Sequence, residues 1–223
     1  MGVVARDLVT VDGPDAESFL QGQVSQDVAG LAVGASALSF LLQPQGKVDA
    51  LLRVTREGPE RFVLDVDAGF GEAVLARLSR FKLRVKCDLT LSSGELPAPW
   101  GEGDRVESRW PAMGAELDER TIPAETGLVD QTVSFTKGCF TGQELVARID
   151  SRGGNVPRHL RLLRLAGDAP VGAVVEVDGK ERGSITSLSD DGAAALAYVH
   201  REVVPPVEVV VRWDGGQTTA DIA

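Results

Sequence analysis

The chain has 223 residues, is 43% hydrophobic but only 5% aromatic, and carries a net charge of −10. That length suits two unequal domains with cores of Val, Leu and Ala, and so acidic a chain disfavours general binding to nucleic-acid phosphates. No apolar run approaches the roughly 20 residues needed to cross a bilayer, and two cysteines with two histidines at no close spacing leave too few ligands for a complete structural zinc site.

The chain starts with a short strand at residues 8–11. Gly13-Pro14 opens a helix through Ala16, Phe19 and Leu20. Residues 35–42 and 48–55 are apolar runs joined by Gln43-Pro44-Gln45-Gly46, a hairpin, and a second turn at 57–60 leads into a strand at 61–66. Phe70, Val74, Leu75, Leu78 and Phe81 recur at three- and four-residue intervals and place one apolar stripe on a helix. Residues 83–91 alternate as a strand that turns Cys87 to the core, so Cys87 reads as structural. Residues 92–104 (SSGELPAPWGEGD) read as a linker. Little periodicity follows until a short helix within 141–151. From His159 onward, four or five short strands separated by Asp-Gly turns read as a small antiparallel barrel or sandwich. The basic stretches FKLRVK (81–86) and RHLRLLR (158–164) read as solvated strand faces, and His159 and His200 as structural or exposed. The first residues meet charge and turn formers too early for a signal peptide, and Arg6 stands where a myristoylation signal needs Ser or Thr. With no cysteine framework, a reducing, cytoplasmic setting is expected.

The segment with the most chemistry is KGCFTGQE (137–144). Two glycines flank Cys139 just before a helix, and Lys137 lies two residues upstream. A thiol between a helix N-terminus and a lysine feels positive potential, which favours the thiolate that nucleophilic or metal-binding cysteines need. The plain alternative is a capping loop whose cysteine fills a small pocket. A second segment, Arg105-Val106-Glu107, offers a carboxylate able to accept hydrogen bonds from a pterin or purine edge, although a solvated glutamate accounts for it equally. Phosphate-loop, GxSxG, HExxH and CxxC patterns are absent.

KGCFTGQE resembles the signature of the folate-binding YgfZ family at every fixed position. Leu20-Gln21-Gly22-Gln23 with Asp27-Val28 is similar to that family's N-terminal pattern, Gln45-Gly46-Lys47-Val48 to its hairpin, and Phe81-Lys82-Leu83-Arg84 to its basic strand. Arg105-Val106-Glu107 followed by Trp110 to Gly114 looks like a stretch shared with the glycine-cleavage T-protein, or aminomethyltransferase. The resemblance implies an α+β fold: ferredoxin-like, T-protein-type folate-binding lobes over residues 1–157 with a shortened middle region, and a C-terminal antiparallel β-barrel over 158–223. It implies tetrahydrofolate as ligand, with Glu107 toward the pterin and Gly138, Gly142, Gln143, Glu144 and Arg148 around it. It also implies iron–sulfur assembly or client proteins as partners, with Cys139 and Lys137 as the reactive pair and a transient cluster contact through Cys139.

Three departures accompany the resemblance. Ala50 and Leu51 stand where the T-protein carries paired aspartates; Asp49 lies one residue early, and strand alternation aims it away from the site. The stretch between Leu91 and Arg105 is short. Arg109 replaces a usual glycine, where it would crowd the cleft or pair with a folate glutamate tail. Three readings follow: a folate-dependent accessory factor for iron–sulfur proteins, a folate-dependent one-carbon transferase, or an interaction scaffold that no longer binds folate.

Overall fold

A computed structural model describes residues 2–222. Its first lobe is a five-stranded antiparallel sheet in the order β2-β3-β4-β1-β5. The strands are β1 (Val3–Asp12), β2 (Ser36–Leu42), β3 (Val48–Arg56), β4 (Arg61–Asp67) and β5 (Asp88–Pro97), with helices α1 (Ala16–Gln23) and α2 (Gly71–Phe81). Period-two alternation gives the sheet two working faces. Val9, Val11, Ala50, Leu52, Val54, Phe62, Leu64 and Val66 meet Phe19, Leu20, Val74 and Leu78 of the helices in one core. On the other face, Phe40, Leu42 and Leu51 pack under Trp110, Leu117, Leu128 and Phe140 from the long central segment.

The hairpin and the α2 stripe stand as the sequence reading has them; Cys87 is buried as expected, but it precedes the strand, which begins at Asp88 and not at Leu83. Burial pushes the Cys87 thiol pKa up. Helix α1 starts at Ala16, two residues after the proline, with Asp15 as its N-cap. Asp7 from β1 accepts hydrogen bonds from the amides of Gly69 and Gly71 (2.8 and 2.9 Å), a tertiary cap for α2.

Two expectations are corrected here. Residues 92–97 are not linker: β5 runs to Pro97 and pairs with β1 from Val3↔Pro97 to Asp12↔Asp88. Its Gly, Ser and Pro are tolerated because β5 is an edge strand, supported from one side only. The basic stretch 81–86 is no strand. Phe81 ends α2, Leu83 is 81% exposed, and Arg84 takes a left-handed backbone with φ 60°.

The second lobe has six strands rather than four or five: β6 (Arg158–Leu165), β7 (Val174–Val177), β8 (Lys180–Leu188), β9 (Ala194–His200), β10 (Val207–Trp213) and β11 (Gly216–Ile222). They close as a barrel in the order β10-β11-β6-β9-β8-β7, filled by small and branched residues such as Ala195, Ala197, Val199, Val209 and Val211. Asp178-Gly179 joins β7 to β8 with φ 51° and 70°, the paired positive values of a two-residue hairpin turn.

Between the lobes the chain is mostly irregular, with a 3-10 turn at Pro123–Glu125, a single turn α3 (Val129–Thr132) and helix α4 (Gln143–Asp150). The lobes are joined through buried Glu116, which accepts from Arg105 (2.9 Å) and from Ser187 of β8 (2.6 Å), while Val106 packs against Leu160, Leu162, Leu196 and Tyr198. Among the described residues no helix is long and apolar enough to cross a membrane.

Candidate functional site

Three sequence-distant segments converge on one loop. The Nζ of Lys137 donates to the carbonyls of Val24 and Gln26, both at 2.8 Å. The Thr141 amide donates to the Gly22 carbonyl (3.1 Å), and the Ser134 amide to that of Ser25 (3.0 Å). The 20–28 segment thus serves as a cradle for the 134–144 segment. Phe140 is buried beneath it, with the Lys137 ammonium 5.3 Å from its ring centroid. Burial pushes the Lys137 pKa down to about 8, against the charge of Asp27, which raises it.

The hairpin supplies the other contact. Gly46 and Gly142 both have positive φ, 80° and 82°. A Cβ on Gly142 would lie 2.6 Å from the Gln43 carbonyl oxygen, and one on Gly46 2.6 Å from the Leu145 Cβ. Two glycine backbones pressed together hold the hairpin tip against the start of α4, a packing no residue with a side chain reproduces.

Cys139 projects from this fixed loop and is exposed. Two neighbours expected to act on its thiol lie otherwise than the sequence reading has them. The N-cap of α4 is Gly142, so Cys139 lies outside the helix's first turn, where the dipole acts. Lys137 is half-buried, and its ammonium donates to two carbonyls that tie the loop to the 20–28 segment.

The other expected site residues divide. Gly138 is exposed, and a Cβ there would meet no atom within 4 Å. Gln143 is half-buried at the first turn of α4, and Glu144 and Arg148 face solvent and approach each other at 3.7 Å. Gly142, Gln143, Glu144 and Arg148 therefore stand on one short helix, while Glu107 stands at the joint between lobes. Its carboxylate is paired with Arg164 of β6 and its amide donates to Asp104 (3.1 Å). The buried acid of that segment is Glu116, which the sequence reading missed for want of any local periodicity. Arg158 and Arg164, expected on a solvated face, also serve this joint: Arg158 bonds Glu125 (3.3 Å) and lies 4.0 Å from the Tyr198 ring centroid. Arg109 has φ 54°, so the position it occupies suits the glycine of the resembling family.

The end of the hairpin next to its turn holds a further correction. The β2–β3 register slips between Leu41↔Ala50 and Leu42↔Val48, leaving Asp49 as an unpaired bulge residue. The bulge breaks alternation, so Asp49 turns to α2, on the same side as Ala50. Its Oδ2 accepts from Nε of Arg77 at 3.1 Å. Arg77 is buried, donates also to Gln23 (3.2 Å) and the Leu42 carbonyl (3.1 Å), and lies 3.8 Å from the Phe81 ring centroid. Burial lowers its pKa. Arg77 falls three residues after Val74 and four before Phe81, a helical spacing that was available as a signal. Asp49 and Arg77 line a cavity of about 610 Å³ between hairpin and α2. Ala50 and Leu51, at the positions of the T-protein's paired acids, are both buried in apolar clusters. Among the described residues no group of three or more His, Cys, Asp or Glu is placed to hold a metal.

The fold defines the class. The solved glycine cleavage system aminomethyltransferase T from Bartonella henselae superposes with a TM-score of 0.84 over 97% of this chain and 82% of that one, at 19% identity. The chain therefore has the T-protein fold. In sequence it is 29% identical to an uncharacterized Haemophilus influenzae protein, the alignment covering 86% of this chain and 85% of that one. It is 27% identical to the tRNA-modifying protein YgfZ of Serratia proteamaculans, covering 66% of each. It is also 27% identical to a mitochondrial iron–sulfur cluster assembly factor IBA57 homolog of Mycosarcoma maydis, covering 78% of this chain and 59% of that one. The chain thus spans under two thirds of those two named relatives. No protein-family model matches the chain. The likeness to YgfZ read from KGCFTGQE stands: this chain is a homologue of proteins named YgfZ and IBA57, built on the fold of the T-protein.

Proposed function

We propose that this chain is a cytoplasmic, folate-dependent accessory factor for the assembly or repair of iron–sulfur proteins, with Cys139 as the group presented to the client. The observation that carries the reading is the convergence of three family-like segments on the loop that holds an exposed Cys139. A fixed backbone beneath a free thiol suits a residue that must reach another molecule. The names of the Serratia and Mycosarcoma relatives support roles in tRNA modification and in cluster assembly, and the net charge of −10 favours a protein client over direct RNA binding.

One thiolate does not hold a cluster alone, since such clusters take four ligands. Cys139 therefore supplies one ligand, or one transient bond, in a site completed by the client. Aminomethyl transfer is not part of the proposal, because Ala50 and Leu51 stand at the positions of the resembling family's paired acids and the neighbouring acid, Asp49, is bound to Arg77. Folate as the bound ligand is supported by the resemblance and the fold. Glu107 as its pterin acceptor fits poorly, because Arg164 already holds that carboxylate.

The experiment is complementation. A strain lacking the protein is supplied with wild type or Cys139→Ala, and the specific activity of an iron–sulfur enzyme is measured in extracts. Wild type restores activity and the variant, at equal abundance, does not. Full restoration by the variant would remove Cys139 from the function.

A further inference from the structure

The stretch that ends α2 and leads into β5 carries Arg80, Lys82, Arg84 and Lys86, and no acid occurs from residue 73 to residue 87. In a chain of net charge −10 this is a concentrated reversal of sign. None of the four makes an ion pair or a side-chain hydrogen bond among the described residues. Leu83, in the middle of the stretch, is 81% exposed, more than any other large apolar side chain among the described residues, and Phe81 is 38% exposed. A leucine so exposed contributes little to the core. We infer that this loop docks a short acidic segment of a partner protein, with Leu83 as the apolar anchor and the cations as its rim.

The loop is held ready from beneath. The Lys86 amide donates to the Asp15 carboxylate (2.8 Å), and the Asp15 amide to the Lys86 carbonyl (3.2 Å). A Cβ on Gly13 would lie 2.6 Å from that same carbonyl oxygen, so the turn after β1 is pressed against the loop. At the other end the Lys82 amide donates to the Ser79 carbonyl (3.2 Å), and Val85 packs on the core. A loop fixed in this way loses little freedom on binding. Beside it, Pro14, Lys82, Val85 and Lys86 line a cleft of about 330 Å³, with room for a side chain of the incoming segment.

The neighbouring acids decide between anionic partners. Asp12 and Asp88 line the same cleft, and the Asp15 carboxylate is bonded to the Lys86 backbone. An RNA backbone or an anionic bilayer extends past four cations and meets these carboxylates, whereas a short peptide need not. An apolar centre with a rim of mixed charge is the anatomy of a protein interface. The inference depends on neither Cys139 nor folate.

The test is fluorescence anisotropy of a labelled glutamate-rich peptide bearing leucines, titrated with the full chain at low and at high salt. Labelled oligouridine and vesicles containing phosphatidylglycerol are the alternative probes, the vesicles read by co-sedimentation. The expected result is binding of the peptide that weakens with salt. Leu83→Ser, and Arg84→Glu combined with Lys86→Glu, should each lose about tenfold or more in affinity, the size of a hot-spot loss. The charge-reversed protein should also lose the salt dependence, while Leu83→Ser keeps it. All three side chains are exposed, so the variants leave the core intact. Arg152→Glu, at an exposed cation elsewhere, should change nothing. Equal loss in Arg152→Glu would show attraction by charge alone and overturn the inference. Binding of oligouridine or vesicles without the peptide would overturn it in favour of RNA or membrane. No binding of the peptide at millimolar concentration would overturn it as well. The proposed function survives each of these results, because complementation by Cys139 decides it separately.

Discussion

Replacing Gly142 by alanine tests the contact that unites the hairpin with the Cys139 loop. The substitution adds one methyl group, at φ 82° and 2.6 Å from the Gln43 carbonyl oxygen, 2.9 Å from the Leu42 Cβ and 3.1 Å from the Gly46 Cα. A left-handed backbone costs a residue with a Cβ about 1–2 kcal/mol. Overpacking against atoms that include two backbone groups adds about 1–3 kcal/mol. The sum, about 2–5 kcal/mol, lowers the melting temperature of a chain this size by roughly 4–20 °C. Scanning calorimetry measures the loss, and amide exchange locates it in residues 43–46 and in α4. Gly138→Ala is the control: its Cβ meets no atom within 4 Å, and a surface change of that kind stays within about 0.5 kcal/mol. A Gly142→Ala protein that melts with wild type, or a Gly138→Ala protein that loses as much, would refute the packing argument.

Two further predictions concern the cysteines and the buried lysine. Iodoacetamide should modify exposed Cys139 rapidly and leave Cys87, buried with its thiol pKa raised, unmodified until denaturant is added; equal rates read by mass spectrometry would contradict the assignment. Lys137 has a folded-state pKa of about 8 against an ordinary 10.5. Between those values the unfolded chain binds more protons, so stability rises with pH and the penalty is fully present below about 8. After allowance for partial exposure the gain is about 1–2 kcal/mol. Denaturant melts from pH 8 to 10.5 should show it in wild type and not in Lys137→Met; parallel curves would show that Lys137 does not titrate in this window.

Elements with strong internal patterning were legible from the residues alone. The α2 stripe, the β2–β3 hairpin and the Asp-Gly turns each carry local signals that agree with their tertiary setting. Strand β5 was not legible, because its Ser, Gly and Pro have low strand preference and its backbone is organised by β1, some eighty residues earlier in the chain. Asp49 was misplaced because a bulge cancels the alternation used to aim it. The partners of Lys137 were not legible for a similar reason: its sequence neighbour is Cys139, but its hydrogen bonds go to the carbonyls of Val24 and Gln26, brought near only by the fold. Glu116 and its bonds to Arg105 and Ser187 likewise exist only once the two lobes meet.

The central claim is that this chain binds a reduced folate. Anaerobic calorimetric titration of the full chain with tetrahydrofolate tests it most directly. Saturable heat with one ligand per chain is the predicted result; no saturable heat at millimolar ligand would contradict the claim and leave a Cys139-bearing interaction scaffold as the account of this protein.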